Sequence, residues 1–105
     1  MYTFVEKDWK LLKKRLPGWQ ERYMEQLVED YKEILNGDYI ASEKFWTLYK
    51  KINQDQRKGG VMVEGLSRSN MVYYMIELYE DGAIEMKDLA GFSDGLIEAI
   101  QMHGR

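Results

Sequence analysis

Residues 12–20 read LKKRLPGWQ, and the fold turns on how the Pro17-Gly18 pair at its centre is taken. Upstream, Val5, Trp9, Leu12 and Leu16 recur at spacings of four, three and four, which lines them up on one face of a first helix. Proline lacks the amide that a helix interior needs and glycine is a poor helix former, so the pair predicts that this helix stops or bends sharply. Downstream, Tyr23, Leu27, Tyr31 and Ile34 or Leu35 repeat the helical spacing, with Met24 and Val28 widening the stripe. A second helix is expected there, ended by Asn36-Gly37-Asp38, with the glycine taking the left-handed conformation that closes many helices.

Ser42 is the expected N-cap of a third helix, which carries Phe45, Trp46, Tyr49 and Ile52 and has Glu43 in its first turn. Asn53 to Gly60 is polar and ends in two glycines, so it reads as a frayed helix end and the most mobile loop. Val61 to Leu66 has strand-like content but no partner strand, and reads as an extended connector. Ser67 or Ser69 is expected to cap a fourth helix. There Met71, Val72, Tyr74, Met75, Ile76, Leu78 and Tyr79 surround most of the circumference, as in a central helix. Asp81-Gly82 closes it, Met86 to Ala90 makes one turn, Gly91 interrupts, and Ser93 caps a last helix with Leu96, Ile97 and Ile100 inward. Residues 1–105 are therefore expected to form an all-α fold, a compact single-domain bundle of five to six helices.

A chain of 105 residues supports one core. With 45% apolar and 31% charged residues it has the balance of a globular protein rather than of a disordered tail. The absence of cysteine removes disulfides, thiolate zinc sites and cysteine nucleophiles. The N-terminus has charges throughout and no uninterrupted apolar core, and no window approaches the roughly 20 apolar residues of a membrane span. A cytoplasmic protein is expected. The single histidine, His103, near the end of the chain, offers neither a paired base nor a metal set.

Tyr79 to Leu89, YEDGAIEMKDL, has the D-G-x-I core of a calcium loop. With Gly82 at the sixth position, however, Tyr79 falls at the third and the short Asp88 at the twelfth, where carboxylates of other geometry are needed. A helix stop with Ile84 turned inward is the expected reading. No catalytic residue, cofactor or metal is expected, and the chain reads as non-enzymatic.

Charge is laid out in blocks. Residues 1–18 carry five basic and two acidic groups, 19–43 two and seven, 44–60 five and one, and 61–105 three and eight. Oppositely charged helices can complement one another across the surface of a bundle, each exposed pair contributing little. Two binding surfaces also emerge. Lys44, Lys50, Lys51, Arg57 and Lys58, together with Lys10, Lys13, Lys14 and Arg68, form a candidate basic face for nucleic-acid phosphates, and Arg68, Ser69 and Asn70 at a helix start form a candidate site for an anion or bases. Glu21, Glu25 and Glu29, continued by Glu33, recur every four residues as an acidic ridge, spaced about 6 Å along the axis. The ridge suits a basic protein surface. High aromatic content, with some rings forced to the surface of so small a domain, favours protein interfaces.

With DWKLLKKRLPGWQ (8–20), ASEKFW (41–46), LSRSNM (66–71) and DGAIEMKDLAGFSD (81–94) in order, the chain resembles a set of short uncharacterised all-helical proteins of Gram-positive, often gut-associated, bacteria. These commonly carry the label "multidrug transporter", which a chain without a membrane span does not fit. The resemblance implies no catalytic residues. By analogy with small proteins carried by phages and mobile elements, it implies a protein-binding inhibitor or regulator of a host protein. The alternative is a nucleic-acid-binding accessory protein or transcriptional regulator.

Overall fold

The Pro17-Gly18 pair does not end a helix. In the computed structural model, which describes residues 2–103, α1 runs unbroken from Glu6–Leu35 with Pro17 inside it. Leu12, Leu16 and Trp19 are buried on one side, while Pro17 and Gly18 face water on the other. Core packing anchors the helix on both sides of the proline. A proline in a helix interior costs about 3 kcal/mol, less than burying several Leu and Trp side chains returns at roughly 1.5–3 kcal/mol each.

Three more α-helices follow: α2 Ala41–Asp55, α3 Met71–Glu80 and α4 Asp94–His103, with a 3₁₀ turn at Met86–Leu89. The expectation of a compact five- to six-helix bundle is thereby corrected. The fold is all-α with four helices, and it is elongated, 53 × 25 × 22 Å with a radius of gyration of 16.3 Å. A compact domain of about 100 residues has roughly 13 Å. Fusing two expected helices into one long rod explains both the lower count and the length.

The core gathers at one end of the rod. Trp9, Leu12, Leu16 and Trp19 of α1 meet Met71, Tyr74, Met75 and Leu78 of α3, Ile84 and Leu89 of the turn region, and Leu96 and Ile100 of α4. The apolar α3 is central, as its sequence predicts. Asp81-Gly82 stops it, Gly82 taking a positive φ of 79°, and Ile84 then enters the core fully buried. Ser93 caps α4 through its Oγ, which accepts from Leu96 N at 3.4 Å.

Polar clasps tie α1 to the C-terminal part. Asp8 is fully buried and accepts from Tyr2 Oη (2.8 Å), Ser93 N (2.8 Å) and Ser93 Oγ (2.5 Å). Arg15 donates to the carbonyls of Asp88 and Ala90. Arg22 grips both carboxylate oxygens of Asp88, at 3.0 and 2.8 Å, and the Ala83 carbonyl. Burial opposes ionisation of Asp88, yet the hydrogen bonds from Arg22 and the Glu85 amide hold its carboxyl below the usual range. The acid at the twelfth loop position thus serves as the latch on α1. The Trp9 indole N–H is buried without an acceptor.

Smaller expectations also change. α2 begins after Ile40, so Ser42 lies inside the helix rather than capping it. Asn36 ends α1 in right-handed conformation, and Gly37 is not left-handed. Asn70, not Ser67 or Ser69, precedes α3. The segment expected to be the loosest is pinned instead: Gly59 and Gly60 are buried, and the Gly59 carbonyl accepts from Tyr74 Oη (2.7 Å) and the Gln20 amide (3.2 Å). A Cβ on Gly60 would run into the Tyr23 ring, which is why that position is open only to glycine.

Candidate functional site

At the end of the rod away from the core, α2 folds back beside the C-terminal half of α1. Lys44, Leu48, Lys51 and Asp55 are withdrawn from solvent and recur at helical spacing, forming the line turned to α1; Tyr23, Leu27, Tyr31 and Ile34 form the matching line. The register is set by a polar lock. Tyr31 Oη donates to Asp55 Oδ2 at 2.7 Å, and Lys51 Nζ bridges both Asp55 oxygens at 3.0 and 2.9 Å. Burial, reinforced by the Asp55 hydrogen bond, pushes the Tyr31 hydroxyl up. Burial works against the Asp55 anion, but the donors Tyr31 and Lys51 together hold its carboxyl below the ordinary value.

With the contact line so polar, the aromatic face of α2 is left outside. Phe45 is 61% exposed, Trp46 62%, Tyr49 56% and Ile52 42%. Phe45 meets Trp46 edge to face with ring centroids 5.0 Å apart, and Trp46 meets Tyr49 likewise at 5.6 Å. Counted at 3.6 residues per turn, Phe45, Tyr49 and Ile52 lie about a quarter-turn beyond the α2 contact line. Val28 and Leu35 lie a quarter-turn beyond the α1 line in the same rotational sense. Because the two helices run antiparallel, these quarter-turns bring both sets to one side of the hairpin. Tyr39 and Ile40, in the connecting turn, are two-thirds exposed as well. Taking the exposed fractions of Phe45, Trp46, Tyr49, Ile52, Val28 and Leu35 against the ~150–250 Å² of an aromatic side chain, these residues present on the order of 600 Å² of apolar surface. The largest patch on a typical monomer is roughly 300–600 Å².

The sequence led us to expect some rings at the surface without saying which, and the signal that places these outside is arithmetical. Once α1 is a single rod, α2 has only one neighbouring helix to cover it.

The residues of the expected basic face do not form one free surface. Lys51 is held by Asp55, and Lys58 lies 3.7 Å from Asp81. Lys50 and Arg57 are exposed and make no ion pair among the described residues, while Lys44 is half-buried. Arg68 is far from this group. It forks onto Glu6 at 2.9 and 2.8 Å and lies over the Trp9 ring, and this hydrogen-bonded pairing raises the Arg68 pKa and lowers that of Glu6. Ser69 Oγ meets Ser67 Oγ at 3.0 Å, and Asn70 bonds Ser67 N and the Gly65 carbonyl, both at 2.8 Å. The polar atoms of this segment are spent on closing its own turn.

The acidic ridge does form. Glu21, Glu25 and Glu29 are exposed along the outer face of α1, where a shallow groove also exposes Val28. Glu29 pairs with Lys32 at 2.9 Å. Among the described residues no three His, Asp or Glu side chains come together as a metal set, and no helix is long and apolar enough to cross a membrane. No family model, curated protein or solved structure matches the chain.

Proposed function

We propose that the chain is a non-enzymatic protein-binding module of the cytoplasm, an inhibitor or regulator that acts by association, and that the apolar side of the α1–α2 hairpin is its docking surface. The observation that carries this reading is the exposure of Phe45, Trp46, Tyr49 and Ile52 on a helix whose inward line is polar. Aromatic rings clustered in water and flanked by charge match the anchors of protein interfaces. A folded chain keeps such rings outside at a cost in solubility, which a bound partner removes. The nucleic-acid reading has less support, because Lys51, Lys58 and Arg68 are each engaged by a carboxylate of the same chain.

A photo-reactive phenylalanine analogue in place of Trp46, with Lys87 as the control position, tests this in the native host. A discrete protein adduct from position 46 and none from position 87 is expected. No adduct from position 46, or equal labelling from both, refutes the docking surface.

A further inference from the structure

At the core end of α1 a groove gathers cations that the chain itself does not neutralise. Lys7, Leu11, Lys14 and Arg15 follow one another within about 100° of the helix circumference, and Lys10 borders them on the outer side. Gly91, in the loop before α4, forms the facing wall, and with Glu6 these residues line an open groove of about 610 Å³. Lys7, Lys10 and Lys14 are exposed, and none has an ion-pair partner among the described residues. Glu6, the one acid in the lining, is already held by the fork of Arg68.

Arg15 brings a further cation to the floor. It is half-buried, yet its Nη1 donates only to the neutral carbonyls of Asp88 and Ala90, and its guanidinium lies over the Phe92 ring at 5.4 Å. No carboxylate pairs with it among the described residues. A charge withdrawn from water without a counter-charge carries an electrostatic cost that a bound anion relieves. Gly91 keeps the way to it open. With φ at 94° it has the conformation that favours glycine, and a Cβ there would stand 3.2 Å from Arg15 Nη2 and 3.4 Å from Leu11 Cδ2. The space over the glycine is therefore bounded by a guanidinium nitrogen on one side and an apolar methyl on the other.

We propose that this groove binds an acidic peptide segment of a partner protein, one that sets carboxylates on either side of an apolar side chain. The carboxylates meet Lys7, Lys10 and Lys14 at the rim and Arg15 at the floor, and the apolar side chain lies on Leu11 and the methylene stems of the lysines. From Lys7 to Lys14 the helix rises about 10.5 Å, the span of roughly three residues of extended chain. Two other anionic partners fit less well. A nucleic-acid strand would find ammonium groups for its phosphates but no ring in the lining on which a base stacks, and it would leave the apolar floor unused. An anionic bilayer would meet the exposed lysines without reaching the half-buried Arg15. The groove lies at the other end of α1 from the rings of α2, so the inference goes beyond the hairpin face and stands without it.

Fluorescence anisotropy of a labelled hexapeptide of alternating Glu and Leu, titrated with the full chain at low salt, tests the proposal. Saturable binding is expected, weakened about tenfold or more in Lys7→Gln/Lys10→Gln/Lys14→Gln. The variant Lys32→Gln/Lys50→Gln/Arg57→Gln removes the same charge away from the groove and should bind within about twofold of wild type. Both triples should melt as wild type does, since all six side chains are exposed. Absence of saturable binding up to about 1 mM chain, or equal loss in both triples, overturns the groove. A peptide of alternating Glu and Gln that binds as tightly as the Glu-Leu peptide overturns the role of the apolar floor. Tighter binding of a short DNA duplex or of phosphatidylserine vesicles, lost in the same groove triple, overturns the peptide as occupant.

Discussion

Replacing Pro17 with alanine should stabilise the protein, and the size of the gain follows from where the residue sits. Inside α1 a proline removes the hydrogen bond to the Lys13 carbonyl and crowds that carbonyl, a cost of about 3 kcal/mol in a helix interior. Pro17 and Lys13 are both exposed, so water takes up part of the lost bond. Proline also restricts the unfolded chain by about 0.4–1 kcal/mol, a benefit that alanine forfeits. The net gain for Pro17→Ala should be about 1–2 kcal/mol. Gly18→Ala adds about 1 kcal/mol from helix propensity, since its new methyl meets nothing within 4 Å and the glycine has no positive φ. Together they should raise Tm by roughly 10–20 °C at about 4–8 °C per kcal/mol for a domain near this size. Urea unfolding followed by far-ultraviolet circular dichroism measures both singles and the double, since adjacent positions couple. Two protein concentrations separate folding from association. Were α1 two helices with Pro17 in the first turn of the second, proline would be favourable there and its removal would destabilise. A loss of stability in Pro17→Ala therefore refutes the continuous rod.

Asp8→Ala should cost about 2–4 kcal/mol by urea unfolding, since it strands the Ser93 amide and hydroxyl and the Tyr2 hydroxyl that converge on a buried carboxylate. Trp9→Phe should change stability by no more than about 1 kcal/mol, because relief of an unpaired buried N–H offsets the lost ring volume. High pH should unfold the protein in a defined window. Burial pushes the Tyr2 and Tyr74 hydroxyls from 10.0 up to about 12. Below 10 both are neutral folded or unfolded, whereas between 10 and about 12 the unfolded chain loses these protons and the folded chain retains them. Stability should fall as pH rises through that interval, and Tyr74→Phe should flatten the fall. Phenolate absorbance and ellipticity recorded together would show the tyrosines titrating in step with unfolding.

Much of the architecture was legible because it rests on local chemistry. The D-G stop after α3, the inward Ile84, the single turn at 86–89 and the Ser93 cap each depend on a few adjacent residues, and the structure has all of them. Pro17 misled because its propensity is also local, whereas what decides the helix is Leu16 and Trp19 packing against α3 and the segment around Phe92, more than fifty residues away in sequence. The clasps of Asp8 with Ser93 and of Arg22 with Asp88 were invisible for the same reason: no periodicity links side chains separated by 85 and 66 positions.

The candidate site follows from that one misread position. Two helices meeting at a break could have folded onto each other and enclosed the rings of α2. A rod cannot, because it holds the α1–α2 hairpin away from the core formed by α3 and α4. The hairpin closes instead through Tyr31, Asp55 and Lys51, a lock that fixes register with little apolar area and turns Phe45, Trp46 and Tyr49 to solvent.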